Sequence, residues 1–309
     1  MKTFYTAFLV LTISSSLFAQ SDTTYWNKGG LTSLTFTQVS LSNWAAGGDN
    51  SVSLAGYVNL FADYARDRIT WQNTAELGYG LIRQGEDGDF EKTDDKVNLI
   101  TQFGYKLTDK NLFWSSLLDF RTQFAEGLDE EGNRISEFMS PGYLLLATGL
   151  EWKPSDAFSM TYSPVGGKFT FVTNQTLANQ GAFGVDPAII DEVTGAILEE
   201  GSNSRAELGS FLKLAYNKEV VTNVNFESRL ELFANYIEEF GNIDVNWQNV
   251  IVMKVNDFLT VNWQTQLIYD DDIKIEEFND AGDLIGSGPR TQFKSVFGVG
   301  FAYNFGGSR

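Results

Sequence analysis

The sequence predicts an all-β protein: a transmembrane, antiparallel, up-and-down β-barrel of about 12 strands with both termini periplasmic. Three observations carry this. Long stretches switch between apolar and polar at every residue, and the connections between them are tight and long in turn. Aromatic residues, 14% of the chain, crowd near the ends of the stretches. Successive side chains of a strand point to opposite faces, so strict alternation builds a wall with one apolar and one polar face. Strands of soluble domains run to about 5–6 residues, whereas a tilted strand crossing a bilayer needs roughly 9–11. Residues 220–236 alternate without a break, which reads as one very long strand.

Residues 1–19 read as a signal peptide. Lys2 gives a short positive start, residues 5–13 an apolar run, and Leu17-Phe18-Ala19 before Gln20 a cleavage point. The alternative is an uncleaved N-terminal helix, but an apolar run of about ten residues is too short to span a bilayer. Residues 20–309 then form a single outer-membrane barrel domain. An exported chain without an apolar helix still crosses a membrane when its strands close on themselves and satisfy every backbone N–H and C=O within the wall.

Taken in order, residues 31–39 form a Thr-rich strand with weaker alternation. In 51–64, Val52, Leu54, Val58, Leu60 and Tyr64 oppose Ser51, Ser53, Asn59 and Asp63. In 69–81, Ile69, Trp71, Leu77 and Tyr79 oppose Thr70, Gln72 and Glu76. Val97, Leu99 and Phe103 then oppose Lys96, Asn98 and Gln102, and Trp114, Leu118 and Phe120 oppose Ser115, Asp119 and Arg121. Leu144, Leu146, Leu150 and Trp152 oppose Tyr143 and Glu151. Residues 157–173 contain Pro164-Val165-Gly166-Gly167, which either splits the stretch or kinks it. We read one kinked strand, because Pro and Gly inside a strand mark a bulge. Bacterial single-chain barrels have even strand numbers, which supports that choice.

Beyond a long insertion, Leu208, Leu212 and Leu214 oppose Arg205, Glu207 and Lys213, and Phe226, Leu230 and Leu232 oppose Glu227, Arg229 and Glu231. Val245, Trp247 and Ile251 mark the next strand. Val261, Trp263 and Leu267 face away from Asn262, Gln264 and Gln266, and Phe293, Phe297 and Phe301 away from Gln292, Lys294 and Asn304. Tight connections fall near Arg66-Asp67, 108–110, 154–156, 217–218 and 256–257. Long ones fall near 40–49, 84–95, 125–137, 174–203, 237–242 and 270–290. Short periplasmic turns and longer outside loops produce this rhythm. The rival architecture, a soluble β-sandwich, would show shorter strands with turns every 8–12 residues or so.

The chain has no Cys and no His. Disulfides and a lipid-anchored cysteine are therefore excluded, and the commonest general base and transition-metal ligand are missing. We expect no enzyme, no cofactor and no metal centre. Net charge is −18, and −19 once Lys2 leaves with the signal, which argues against a nucleic-acid partner. The long loops hold about 26 of the 40 acidic residues and only about four basic ones. Such an acidic rim solvates the loops, bridges to lipopolysaccharide through divalent cations, or draws cations to a pore mouth. Three loops carry a glycine in an acidic turn, in residues 129–135, 191–197 and 279–285, and each reads as a hairpin tip.

The polar rows supply the candidate lumen-lining residues: Glu76, Asp119, Arg121, Arg205, Glu207, Glu227, Arg229, Glu231 and Lys294, with Glu151, Lys213 and Lys254 beside them. Both signs occur in similar number. They either lace the interior with ion pairs or line a wet conduit. Small barrels fill with side chains and those of sixteen or more strands leave a channel, so about twelve strands does not decide between the two.

Several strings resemble a family of Gram-negative outer-membrane proteins known only as a domain of unknown function. They are Trp26-Asn27-Lys28-Gly29-Gly30, Asn43-Trp44-Ala45-Ala46-Gly47-Gly48-Asp49-Asn50-Ser51, Lys92-Thr93-Asp94-Asp95-Lys96, Thr122-Gln123-Phe124-Ala125-Glu126-Gly127 and Ser140-Pro141-Gly142-Tyr143. The resemblance implies localisation in the outer membrane and carries over no catalytic residue. Within the second string, Trp44 is a candidate loop anchor, either folded inward over the lumen or packed on its own tight, glycine-rich loop. The expected function is a passive channel or transporter for small solutes. The competing expectation is a structural or surface-interaction barrel with a closed lumen, acting through its acidic loops. Expected partners are outer-membrane lipid and lipopolysaccharide, divalent cations at the loops, and the barrel-assembly machinery during insertion.

Overall fold

The computed structural model describes residues 24–40, 50–85, 88–129, 131–237, 241–256, 259–278 and 284–307. The first strands are β1 (Trp26–Val39), β2 (Ser51–Arg66), β3 (Ile69–Gln84), β4 (Phe90–Thr108) and β5 (Leu112–Thr122). Then come β6 (Gly127–Leu128), β7 (Arg134–Ser136), β8 (Gly142–Ser155), β9 (Phe158–Phe171), the short helix α1 (Gln175–Asn179), β10 (Ile189–Ile190) and β11 (Ile197–Glu199). The chain ends with β12 (Ser204–Val221), β13 (Val224–Asn235), β14 (Ile243–Lys254), β15 (Leu259–Tyr269), β16 (Lys274–Phe278), β17 (Leu284–Pro289) and β18 (Gln292–Gly306).

Twelve strands close into an antiparallel barrel in the order β1-β18-β15-β14-β13-β12-β9-β8-β5-β4-β3-β2. The first and last strands join, Ser33 opposite Ala302 and Thr35 opposite Gly300, so the wall has no free edge. Both termini of the wall lie at the end that carries the short turns. The remaining six strands form three two-stranded hairpins, β6–β7, β10–β11 and β16–β17, at the three loops whose acidic glycine turns predict them. Gly132 and Gly195 take φ of +83° and +71° in the first two turns, a conformation open to glycine without a Cβ clash. The tip of the third lies outside the described residues.

Two sequence expectations need correction. The alternation over 220–236 is not one strand: β12 runs on to Val221, Thr222 and Asn223 make the turn, and β13 has 12 residues. The tight connection placed at 217–218 is therefore strand. Asn223 adopts φ +65°, which asparagine tolerates in turns. A two-residue turn pairs Val221 with Val224 and by itself would reverse the alternation, but a bulge between Glu219 and Val221 restores it, so even-numbered positions face outward on both sides and alternation alone cannot reveal the turn. Likewise, most of 84–95 is strand, because β4 begins at Phe90.

The kinked-strand reading holds. In β9, Ser163 pairs with Phe211 but Gly166 with Gly209, so Pro164 and Val165 together face a single residue of β12. The same extra residue appears against β8, where Gly149 passes the bulge. A Cβ on Gly149 would lie 2.1 Å from the Tyr162 carbonyl oxygen, so only glycine lets the wall close there. The bulge also reverses parity: Thr161 and Ser163 point inward before it, Lys168 and Thr170 after it.

The outer face is apolar. Leu34, Leu54, Leu99, Leu118, Leu146, Leu208, Phe297 and Phe301 are exposed, as are Trp71, Trp114, Trp152, Trp247 and Trp263. Leaving such side chains in water forgoes about 1.5–3 kcal/mol each, so this surface calls for lipid. Polar atoms on it find partners across the strands. The indole N–H groups of Trp71, Trp247 and Trp263 donate to the hydroxyls of Thr101, Ser228 and Ser295 at 2.7, 3.0 and 3.1 Å. In hydrocarbon an unmet donor is costly. Rings gather at the short-turn end, where Trp26 packs against Tyr64 and Trp71 with centroids 5.3 and 5.8 Å apart. Amphipathic rings settle at that depth, at the boundary of lipid and water.

Candidate functional site

The inward positions of the strands converge on the lumen. Glu76 on β3 is buried, pairs with Lys96 and accepts from the Asn98 amide at 3.2 Å. Asp119 on β5 is 2% exposed and takes the Arg121 guanidinium through both oxygens. The same guanidinium reaches Glu231 on β13 at 2.6 Å, four strands away in the barrel order. Arg229 on β13 donates to Gln248 at 2.7 Å and comes within 3.9 Å of Glu76 on β3, six strands away and so opposite it in the wall. Lys213 on β12 donates to Gln102 on β4 at 2.8 Å. Arg229 also lies 3.7 Å from Glu231, so five sequence candidates join one network across the lumen, Glu76, Asp119, Arg121, Arg229 and Glu231, with Lys213 beside it opposite Glu231.

A second network sits nearer the long loops. Arg205 pairs with Asp272 at 2.8 Å and donates to the Gly184 carbonyl at 3.2 Å, and Glu207 lies 3.5 Å from the Lys168 ammonium. Lys168 also meets Asp244 and Asp270, at 2.6 and 2.8 Å. The run Asp270-Asp271-Asp272 therefore divides among three partners: Lys168, Asn242 and Arg205. Lys294 reaches Asp94 on β4 at 2.6 Å in an exposed pair. Glu227, toward the short turns, is exposed and joins neither network. Glu151 is buried against Lys153. Trp44 lies outside the described residues.

Sequence reasoning missed two features. Lys168 escaped because strict alternation from Met160 and Tyr162 would turn it outward, and only the bulge brings it in. An ammonium aimed at lipid is a warning in itself, since Lys on a lipid face costs roughly 2–4 kcal/mol. The other is an apolar cluster inside the lumen: Leu117, Ala147, Phe211 and Phe233 pack together, 2–7% exposed. Residues 172–203 form a second small core of Val172, Leu177, Ala178 and Val185, with Phe183 packed on it and facing the lumen.

Between these features a cavity of about 460 Å³ remains. Charged side chains of both signs line it (Arg121, Lys168, Asp244, Lys294), together with the amides of Asn246, Gln248, Gln264 and Gln266. Outside the lumen, the Asn133 side chain and N–H hold the Asp129 carboxyl below its ordinary value in the first hairpin turn.

The motif strings meet at the rim. The Asp95 carboxylate accepts the N–H groups of Phe124 and Ala125 at 2.7 and 2.9 Å, and Lys92 bridges Asp95 and the Ala125 carbonyl. A family model described as a protein of unknown function (DUF3078) matches residues 36–128. That span runs from the end of β1 to β6 and contains both strings. No curated protein matches the chain. Among solved structures, an outer membrane channel from Pseudomonas putida F1 is similar at 12% identity and TM-score 0.40, over 91% of this chain and 96% of that one. The P. putida toluene transporter TodX matches at 11% identity and TM-score 0.33, over 93% and 80%. The translocator domain of the autotransporter NalP from Neisseria meningitidis matches at 10% and 0.32, over 93% and 90%. All three are outer-membrane proteins, and what each carries belongs to that protein.

Proposed function

We propose that the protein is a Gram-negative outer-membrane barrel that passes small solutes. One observation carries the reading: a cavity of about 460 Å³, lined by amides and both signs of charge, lies inside a wall whose outer face is apolar. Amides and charges set in the otherwise largely apolar lining of this cavity offer a solute replacements for its water hydrogen bonds, while the wall keeps lipid out. Residues 1–19 serve as the export signal. The short-turn end faces the periplasm, and the barrel-assembly machinery inserts the chain. The acidic loops face outward, where divalent cations tie them to lipopolysaccharide. The protein acts without catalysis and without a cofactor.

A second reading, a structural barrel with a closed lumen acting through its loops, is favoured by the Arg121–Glu231 and Arg229–Glu76 crossings. Purified protein in a planar bilayer separates the two. Passage requires steady conductance steps that grow when Arg121→Gln removes a crossing. A silent barrel, with and without that substitution, contradicts it.

A further inference from the structure

The Arg229–Glu76 contact spans the barrel from β13 to β3 and divides the lumen into two sides of five strands each. One side is walled by β4, β5, β8, β9 and β12. Into it project the apolar cluster, the Arg121–Glu231 pair and the Lys213–Gln102 bond. Small inward side chains there are sealed: Ser115 and Ser163 are each 1% exposed. The other side is walled by β14, β15, β18, β1 and β2. Gln248, Thr260 and Ala302 are buried there, but along the long-loop half of β1 and the start of β18 inward side chains are bare. Val39 is 42% and Val296 43% exposed, although both point away from lipid, and Thr37 is exposed as well.

Charge divides the same way only along β1 and β18, since Asp244 and Lys254 point inward from β14 and Asp63 from the short-turn end of β2. From Ser33 to Val39 the inward residues of β1 are Ser33, Thr35, Thr37 and Val39, and those of β18 from Val296 to Asn304 are equally uncharged. Lys294 is the exception. It crosses to Asp94 at the long-loop mouth with both partners over a third exposed, and an exposed pair is worth only about 0–1 kcal/mol, too little to close a path.

We infer that solutes cross off-centre, along the inner face of β18, β1 and β2, and that the uncharged lining between Lys294 at one end and Asp63 at the other favours neutral hydrogen-bonding solutes over ions of either sign. The inference rests on the passage reading. Hydroxyls and amides replace the hydration of a neutral polar solute, whereas between Lys294 and Asp63 an ion gains no opposite charge along this wall. Most other lumen charges brace the far side or, as Asp244 does with Lys168, pair across to it.

The chain has no cysteine, so single cysteines report cleanly. Thr35→Cys and Thr37→Cys probe the open side, Ser115→Cys and Ser163→Cys the filled one, all near-isosteric, with folding checked by heat-modifiable gel mobility. Each variant in liposomes is treated with a trimethylammonium methanethiosulfonate reagent and labelling is read by mass spectrometry. Conductance and reversal potential are recorded at 1 M KCl, where the Debye length of about 3 Å screens the loop acids. The expected result is labelling at least ten-fold faster at 35 and 37 than at 115 and 163. Modification at 35 should at least halve conductance, and the unmodified barrel should show a K⁺/Cl⁻ permeability ratio within about two-fold of unity. Equal or reversed labelling overturns the path, as does a conducting barrel indifferent to modification at 35. A permeability ratio above ten overturns the neutral selection. A silent barrel that still labels at 35 and not at 115 sinks passage and the selection with it, but upholds a water-filled side.

Discussion

On the side built from β4, β5, β8, β9 and β12, inward residues are mostly buried, long charged ones such as Arg121 are paired, and an apolar cluster sits among them. Along the long-loop half of β1 and the facing residues Val296–Gly300 of β18, inward residues are short and open to the lumen, although the outer faces of the two regions are alike in exposed Leu, Phe and Trp. The outward half of the pattern answers to lipid and is uniform all round. The inward half answers to whatever shares the lumen, and it differs from wall to wall. A barrel of twelve strands is wide enough to brace one side with side chains and leave the other wet.

The largest effect expected on this comparison comes from Arg121→Ala. It strands Asp119 and Glu231 as buried carboxylates, and removing one partner of a buried pair costs about 3–5 kcal/mol. Unfolding by denaturant in detergent measures it, and a loss under about 1 kcal/mol would show the crossing to be idle. Phe211→Ala, 2% exposed at the centre of the apolar cluster, should cost about 3 kcal/mol in the same assay. Val296→Ala on the open side should cost less than about 0.5 kcal/mol, and similar losses at the two sites would erase the distinction between the sides. Trp263→Phe removes the donor to Ser295 on the outer face and should cost about 1 kcal/mol. Thr37→Trp should leave stability within about 0.5 kcal/mol while lowering conductance, the reverse of the Arg121 substitution. The smallest effect concerns the rim. Asp129 titrates below the ordinary carboxylate value, so its turn gains stability above that value and loses it as pH falls through the lowered one. Protection of the Asn133 amide, its exchange measured against the intrinsic rate at the same pH, should drop on acidification to pH about 3, with protection of the β-wall unchanged.

The wall was legible in the sequence because lipid imposes one rule on every outward residue. Strand count, hairpin tips and the kink at Pro164 follow from that rule together with turn chemistry. What escaped it were local changes of parity. The Thr222–Asn223 turn and the bulge just before it cancelled each other's change of parity and stayed hidden, while the Pro164–Val165 bulge broke the alternation and hid Lys168. Cross-lumen contacts were illegible for another reason. Arg121 and Glu231 stand 110 residues apart, and their meeting depends on barrel radius and strand tilt, which no single strand encodes. The polar rows named the right side chains for the lumen network, but Glu227 joined neither network, and the apolar cluster at Phe211 and Phe233 lay among residues that alternation assigns to water.

The account depends first on the outer face lying in lipid, and tryptophan quenching by brominated acyl chains measures that directly. In bilayers of such lipid, variants retaining only Trp247 or only Trp263 should be quenched strongly, since both rings are outward and exposed between the ends of their strands. Emission equal to that in unbrominated lipid, with the protein staying folded in detergent-free buffer, would contradict the barrel's place in the membrane.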